Sequence, residues 1–238
     1  MKLKFLNLSA LFILGFALAG FSQTADEIIS KHIEAIGGAD AWSKINSIKQ
    51  EGSLQVQGTD VDIVLTIMKG KGTRQDITLS SAGMTGYRII TPTEGWSYMP
   101  FNGQMAPEAI TPDELAQDQD DMDPEGPFIN YKAKGHKIEY LGKEDVEGTE
   151  AYKLKAEMKG GKVETFFIDP SSYMVIRTVV KQKVNGQEVE QQTDLSNYEK
   201  LPEGIVMPKT ITLPFGELNI TSVVVNGNVD ESTFKKPD

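Results

Sequence analysis

The feature that most constrains this chain is a two-residue hydrophobic period that begins at Ile48 and is interrupted at short intervals by turn residues. Val61, Ile63, Leu65 and Ile67, for example, occupy every second position of one such segment. Counting the segments predicts five strands before residue 103 and six or seven after residue 135. No helical segment lies between strands within either series, so parallel crossovers are excluded and an antiparallel meander of about 11–12 strands is predicted.

Two segments depart from the strand pattern. Thr24 and Glu27 form a capping box, and isoleucines then recur at helical spacing up to residues 37–38, which predicts an N-terminal helix. Residues 103–130 contain four prolines, which forbid a central strand there. Thr111 and Glu114 form a second capping box within them, so we predict a long connection that carries a short helix and covers the concave face of the sheet as a mobile lid.

The first residues predict export. Lys2 and Lys4 precede an apolar run over residues 5–19, and small residues at Gly20 and Ser22 follow it. We expect a signal peptide over residues 1–22, cleaved after Ser22, then a single domain over residues 23–238 in the periplasm. An uncleaved anchor over residues 5–19 is the alternative. No later stretch reaches the roughly 18 apolar residues of a membrane span.

The cysteine and histidine counts exclude several kinds of chemistry. The chain has no cysteine and two histidines, which removes thiol nucleophiles and leaves too few ligands for most zinc sites and histidine-dependent triads. The acidic run over residues 118–126 fails as an EF-hand loop, because Pro124 intrudes and Lys132 stands where the bidentate acid is needed. We therefore expect no metal and no cofactor, with a weak calcium site in a solvated loop as the alternative.

Charge and motif content exclude further classes of protein. The net charge is −10, and removal of the two lysines in residues 1–22 makes it −12, so no basic face is expected and nucleic acid is not a predicted partner. The sequence has no phosphate loop, dinucleotide fingerprint or nucleophile elbow. We predict that the chain is not an enzyme. A carboxylate pair of the kind used by glycosidases stays open, because spacing selects none among 34 acids.

The predicted sheet has more apolar surface than the chain can cover. One N-terminal helix and a proline-rich lid are too little for the concave face of about a dozen strands, so we expect a hydrophobic cavity there. Simple core packing is the alternative for any single residue. The residues expected to share that face and line the cavity are Leu54, Val56, Ile63, Leu65, Ile67, Ile77, Leu79, Trp96, Tyr98, Phe166 and Ile168.

The order of these pieces resembles the LolA family of periplasmic lipoprotein carriers and its superfamily of lipid-binding half-barrels, which includes LolB, LppX-like proteins and the N-terminal domain of RseB. The resemblance covers nearly the whole chain after residue 22, and no single motif in it is highly specific. The stretches that carry it are the helix at 25–36, Gly95-Trp-Ser-Tyr-Met-Pro-Phe101 with Gln104, Glu164-Thr-Phe-Phe-Ile-Asp-Pro170, Met174-Val-Ile-Arg-Thr178, and residues 228–237.

The resemblance implies an incomplete antiparallel β-barrel that holds lipoprotein acyl chains or other lipids without covalent chemistry. It adds Phe101 to the aromatic strand and Leu115 to the lid as ligand-binding residues, and it places Arg74 at a polar rim. One departure is that the family's arginine ahead of a proline meets Lys69-Gly-Lys71 here, with no proline.

The implied partners are an inner-membrane releasing complex and an outer-membrane acceptor, and the implied state is a monomer. The departure at residues 69–71 bears on transfer between those two partners, whereas apolar binding does not depend on it. An RseB-like protein-interaction or sensor module without lipid transfer is the alternative function.

Overall fold

The computed structural model describes residues 24–184 and 187–237, and within them the chain is dominated by strands. The predicted signal peptide and its cleavage site lie outside the described residues. The strands are β1 Ser47–Val56, β2 Thr59–Met68, β3 Gly72–Leu79, β4 Met84–Ile90, β5 Gly95–Tyr98, β6 Glu108–Ala109, β7 Lys137–Val146, β8 Thr149–Glu157, β9 Val163–Ile168, β10 Val175–Val184, β11 Gln187–Lys200, β12 Val206–Leu213 and β13 Gly216–Val225.

Helices are short and few in the described part of the chain. The α-helices are α1 Ala25–Ala35, α2 Ala39–Trp42, α3 Pro112–Asp118 and α4 Tyr131–Lys134, and 3₁₀ turns lie at Pro100–Asn102, Gln119–Met122 and Glu231–Phe234. Both predicted capping boxes are present: Thr24 and Glu27 cap α1, and Thr111 and Glu114 cap α3. No helix in the described ranges combines the length and the apolar character that a membrane crossing requires.

All thirteen strands form one antiparallel sheet in the order β6-β5-β4-β3-β2-β1-β13-β12-β11-β10-β9-β8-β7. The five strands before residue 103 and the seven after residue 135 agree with the prediction. The thirteenth is β6, a two-residue strand inside the predicted lid. β1 pairs with β13, which joins two meanders at the middle of the sheet, whereas β6 and β7 stay as its two edges. The barrel is therefore open, as predicted.

Register fixes which residues share a face. We call the face that carries Leu65 the inner face. Across β1 to β4, one row on this face consists of Gln50, Leu65, Gln75 and Arg88, and we call it the polar row. The next two rows toward the β1–β2 turn contain no polar side chain, and we call them the apolar rows: Gly52, Ile63, Ile77 and Gly86, followed by Leu54, Val61, Leu79 and Met84.

The helix α1 covers the inner face of the second meander. Ile28 and Ile29 are buried against a cluster from β8 to β10 that includes Leu154, Phe166 and Ile168. A second cluster joins Trp42 and Ile45 to Ile48, Ile129 and Ile205. The lid therefore ends in the core, because Phe128 and Ile129 are both buried.

Candidate ligand cavity

A cavity of about 710 Å³ lies between the inner face and the lid. The sheet contributes two sets of side chains. The apolar set, which we call the apolar wall, is Leu65, Ile67, Ile90, Phe166 and Leu195, with Met158 beside it; the polar set is Thr73, Gln75, Arg88, Glu164 and Thr178. The lid contributes a polar wall, which includes Asp118, Gln119, Asp120, Asp121 and Asp123. The two walls give the cavity an amphiphilic lining rather than the wholly apolar one that the sequence predicts.

Ion pairs attach the lid to both meanders. On the first meander, the Arg88 guanidinium donates to the Asp118 carboxylate at 2.5 Å, and both side chains are partly buried. On the second, the Lys162 ammonium lies 3.0 Å from the Asp121 carboxylate. Residues 118–121 therefore connect β4 of the first meander with the β8–β9 turn of the second.

Backbone packing supports the same attachment. Gly160, in the β8–β9 turn, lies so close to α3 that a Cβ atom there would meet the Ala116 carbonyl oxygen at 1.9 Å. Its φ is not positive, so this glycine is required for close approach rather than for turn geometry. The Gly160 amide also donates to the Asp120 carboxylate at 3.3 Å.

A second group of ion pairs lies at the C-terminal end of the lid. The Lys134 ammonium lies 2.6 Å from the Asp123 carboxylate and 3.4 Å from that of Glu125. Glu125 also pairs with Lys69, and its side chain is only 7% exposed. Two ammonium groups therefore face this nearly buried carboxyl group and compensate for its burial.

Deeper in the cavity, Glu164 extends from the inner face of β9 toward Lys162 at 3.8 Å. Burial raises the pKa of the Glu164 carboxyl, and Lys162 and a hydrogen bond with Thr178 oppose that rise only partly. Burial lowers the pKa of Lys162, but the carboxylates of Asp121 and Glu164 outweigh it and the net shift is upward. The cavity thus contains buried ionisable groups that are paired with each other, and they can orient a polar group on a ligand.

His136 lies in the wall of the cavity and is 7% exposed. Its Nδ1 accepts a hydrogen bond from the Lys159 amide at 3.1 Å, which requires the proton of the neutral ring to be on Nε2. Burial lowers the pKa of His136, so the ring stays neutral near pH 7. In the described residues, no group of three His, Cys, Asp or Glu side chains is arranged to hold a metal ion.

Eight of the thirteen predicted ligand-binding residues lie on the inner face. Leu65, Ile67 and Phe166 line the cavity itself. The other five lie beyond the polar row in one apolar cluster, which we call the turn-end cluster: Leu54, Val56, Ile63, Ile77 and Leu79, with Val61, Ile211, Leu213, Leu218, Ile220 and Val223.

Two predicted residues lie on the opposite face, and the expectation that they share the concave face is wrong. Trp96 pairs with Ile89 and Tyr98 with Tyr87, which are one position out of phase with the cavity-lining Arg88 and Ile90. Both aromatic rings pack against a cluster that contains Phe234 and Val229, so the C-terminal tail covers them. Trp96 and Tyr98 do share one face of β5, as predicted, but the β4–β5 turn determines that this is the outer face.

Arg74 also lies on that outer face and not at a rim of the cavity. Its guanidinium donates to the Asp76 carboxylate at 2.8 Å and to the Thr233 carbonyl at 3.2 Å. It lies over the Tyr87 ring, 5.5 Å from the centroid. Arg74 therefore attaches the C-terminal tail to the sheet.

The three remaining residues take other positions. Ile168 is completely buried beneath α1 and belongs to the core. Phe101 lies over Gly86 on the inner face, where a Cβ atom would meet its ring at 2.8 Å. Leu115 is half-buried on α3 and does not line the cavity.

The polar residues of the cavity were not among the residues predicted to line it. Gln75 precedes Ile77 by two positions and Glu164 precedes Phe166 by two, so strand alternation alone places each on the same face as its neighbour. That signal was present. Arg88 and Lys162 could not be found in this way, because their importance depends on the lid carboxylates that reach them.

Solved structures match most of this chain. A candidate outer membrane lipoprotein-sorting protein domain from Vibrio parahaemolyticus superposes with a TM-score of 0.52 at 16% identity, over 88% of this chain and 95% of that one. A LolA superfamily protein from Nitrosomonas europaea gives 0.55 at 13% identity, over 90% and 99%. This chain has the LolA superfamily fold. At these identities the likeness concerns the fold alone.

The other comparisons add less. No protein-family model matches the sequence, and no curated protein matches it. The Pseudomonas aeruginosa MucA/MucB complex matches 88% of this chain with a TM-score of 0.28 at 11% identity, which is too low to support an argument.

Proposed function

We propose that this protein is an exported, non-catalytic carrier that holds the acyl chains of lipoproteins or other lipids in the cavity beneath the lid. The observation that carries the proposal is the apolar wall of that cavity, which a LolA-type sheet presents to a space of about 710 Å³. This volume is within the roughly 300–1,000 Å³ of small-molecule sites. No covalent step is needed, since burial of an acyl chain stabilises the complex by itself.

The lid gives the ligand a way in. Its contacts with the sheet over residues 118–121 are ion pairs and hydrogen bonds, and a partly exposed ion pair contributes only about 0–1 kcal/mol. Phe128 and Ile129 hold its C-terminal end in the core. Residues 108–110 are bonded to β5, and Met122 and Glu125 are buried as well, so the part of the lid that opens is residues 111–121.

Hydrogen exchange tests this opening. Amides of residues 112–121 should exchange faster than those of β1 and β13 in the free protein and should slow when an acyl ligand is bound. Equal exchange with and without a ligand that saturates the protein would contradict a lid function.

The proposed surroundings are the periplasm, with an inner-membrane releasing complex as donor and an outer-membrane protein as acceptor, and the proposed carrier is a monomer. Native mass spectrometry of the full-length chain, expressed with residues 1–22 and purified from the periplasmic fraction, tests both cargo and processing. We expect the mass of a mature chain that begins at Gln23, together with the additional mass of a bound acyl species.

Two results together would refute the proposed carrier function: no bound acyl species in the mass spectrum, and no saturable binding of a fluorescent fatty acid. An empty cavity with a co-purified protein would favour the protein-interaction alternative instead.

A further inference from the structure

The inner face changes from charged to apolar along the strands. Charged side chains of the cavity wall come from the lid, from Lys134, from Arg88 in the polar row, and from Lys162 and Glu164 opposite it. The apolar rows begin at the next inward position of each strand, about 7 Å further on. They contain no charge, because their eight members are aliphatic residues and glycines.

The apolar rows adjoin the cavity wall on the same face of the sheet, and we call this strip the groove. Ile63 and Ile77 are adjacent cross-strand partners and form its floor. Gly52 and Gly86 flank them, and the missing side chains let Leu218 and Ile220 close in on one side and Phe101 on the other. Ile63 and Ile77 are both half-buried, so apolar surface in the groove remains accessible to a ligand.

The groove has the length of a lipid chain. From Ile67 to Ile63 the inner face of β2 extends over four residues, about 13 Å, and Val61 beyond them is buried. A single leaflet of a bilayer, half of a hydrocarbon core of about 30 Å, corresponds to a chain of about 15 Å. A full-length acyl chain that starts beneath the lid therefore reaches the turn-end cluster.

We infer that the cavity fixes the direction of its ligand, with the polar head group among the charges beneath the lid and the acyl chain along the apolar rows toward the β1–β2 turn. This inference rests on the proposed function and adds two elements to it. The apolar rows select for chain length, and Ile77 is a specificity-determining residue, because only the far part of a long chain reaches it.

Alkyl phosphocholines with octyl, dodecyl and hexadecyl chains test the inference, each measured below its micelle concentration by displacement of a fluorescent fatty acid. In the wild-type protein each added methylene that is buried should raise affinity about fourfold, which corresponds to about 0.8 kcal/mol. Ile77→Lys should leave octyl binding within about twofold of wild type and should lower hexadecyl binding at least tenfold.

Val64→Lys is the matched control. Val64 lies on the outer face of β2, opposite Glu51 and Asp76, where a new ammonium meets carboxylates and cannot touch the groove. It should keep the wild-type dependence on chain length. Ile77→Gln, which adds no charge, gives a second measurement if the lysine variant fails to fold, and it should also weaken hexadecyl binding selectively.

The outcomes separate the inference from the proposed function. If the wild type binds none of the three chains, the carrier function fails. If the wild type binds all three and Ile77→Lys and Ile77→Gln alter them equally or not at all, the carrier function stands and the direction and length selection are wrong. Selective loss of the hexadecyl ligand supports the inference.

Discussion

Leu65→Lys distinguishes a ligand cavity from a packed core. Leu65 faces the cavity from the middle of β2, is half-buried, and has Gln50 and Gln75 as its cross-strand neighbours. A lysine there keeps a methylene stem along the wall while its ammonium reaches the polar space beneath the lid.

The expected effects on folding and on binding differ in size. Full burial of a leucine contributes roughly 1.5–3 kcal/mol, and Leu65 is only half-buried, so the free energy of unfolding should fall by less than about 2 kcal/mol. An acyl chain entering the variant must remove water from the ammonium, which costs several kcal/mol. Since about 1.4 kcal/mol is tenfold in affinity, binding should weaken at least a hundredfold.

Urea unfolding and displacement of a fluorescent fatty acid measure the two effects on the same preparation. Val64→Lys, on the outer face of the same strand, is the control and should change neither strongly. A loss of more than about 4 kcal/mol in unfolding free energy would show that Leu65 is core. A retained midpoint with unchanged affinity would exclude Leu65 from the binding site.

Three further predictions concern the lid and the dependence on pH. A double-mutant cycle with Arg88→Met and Asp118→Asn should give a coupling free energy of about 1 kcal/mol that declines with salt, and a value near zero would show that this pair does not hold the lid. Gly160→Ala should accelerate hydrogen exchange across α3, because the new methyl group meets the Ala116 carbonyl; unchanged exchange would contradict the close packing. Burial lowers the pKa of His32 below its ordinary 6.5, so the unfolded chain takes up a proton that the folded chain does not, and unfolding free energy should fall as pH drops below about 6.5. His32→Asn should reduce that fall in urea titrations at pH 5.5 and 7.5, and an identical pH dependence in both proteins would refute the assignment.

Local signals in the sequence predicted the elements well. Alternation placed the strands, because a half-buried strand must direct every second side chain into the core. The capping residues Thr24 and Thr111 marked the starts of α1 and α3, where a side-chain oxygen is needed to accept an unpaired backbone amide.

Relations between distant segments were not predictable in the same way. Alternation shows that Trp96 and Tyr98 share a face but not which face, since that depends on the register of β5 against β4. The polar wall of the cavity was missed for a similar reason. From the sequence, Asp118 and Asp121 are expected to be solvated acids of a loop. Only the fold brings Arg88 and Lys162 into contact with them.

The pairing of β1 with β13 has a consequence for how the chain reaches this structure. Each meander can form from neighbouring hairpins, but β1 keeps a row of unpaired amides and carbonyls until residues 216–225 have left the ribosome. The contact that completes the sheet spans nearly the whole chain, and such long-range pairing is slow. During synthesis the first half therefore presents an unpaired strand edge that can pair with other chains. A chaperone that holds the chain extended until β13 has been synthesised would suppress this aggregation.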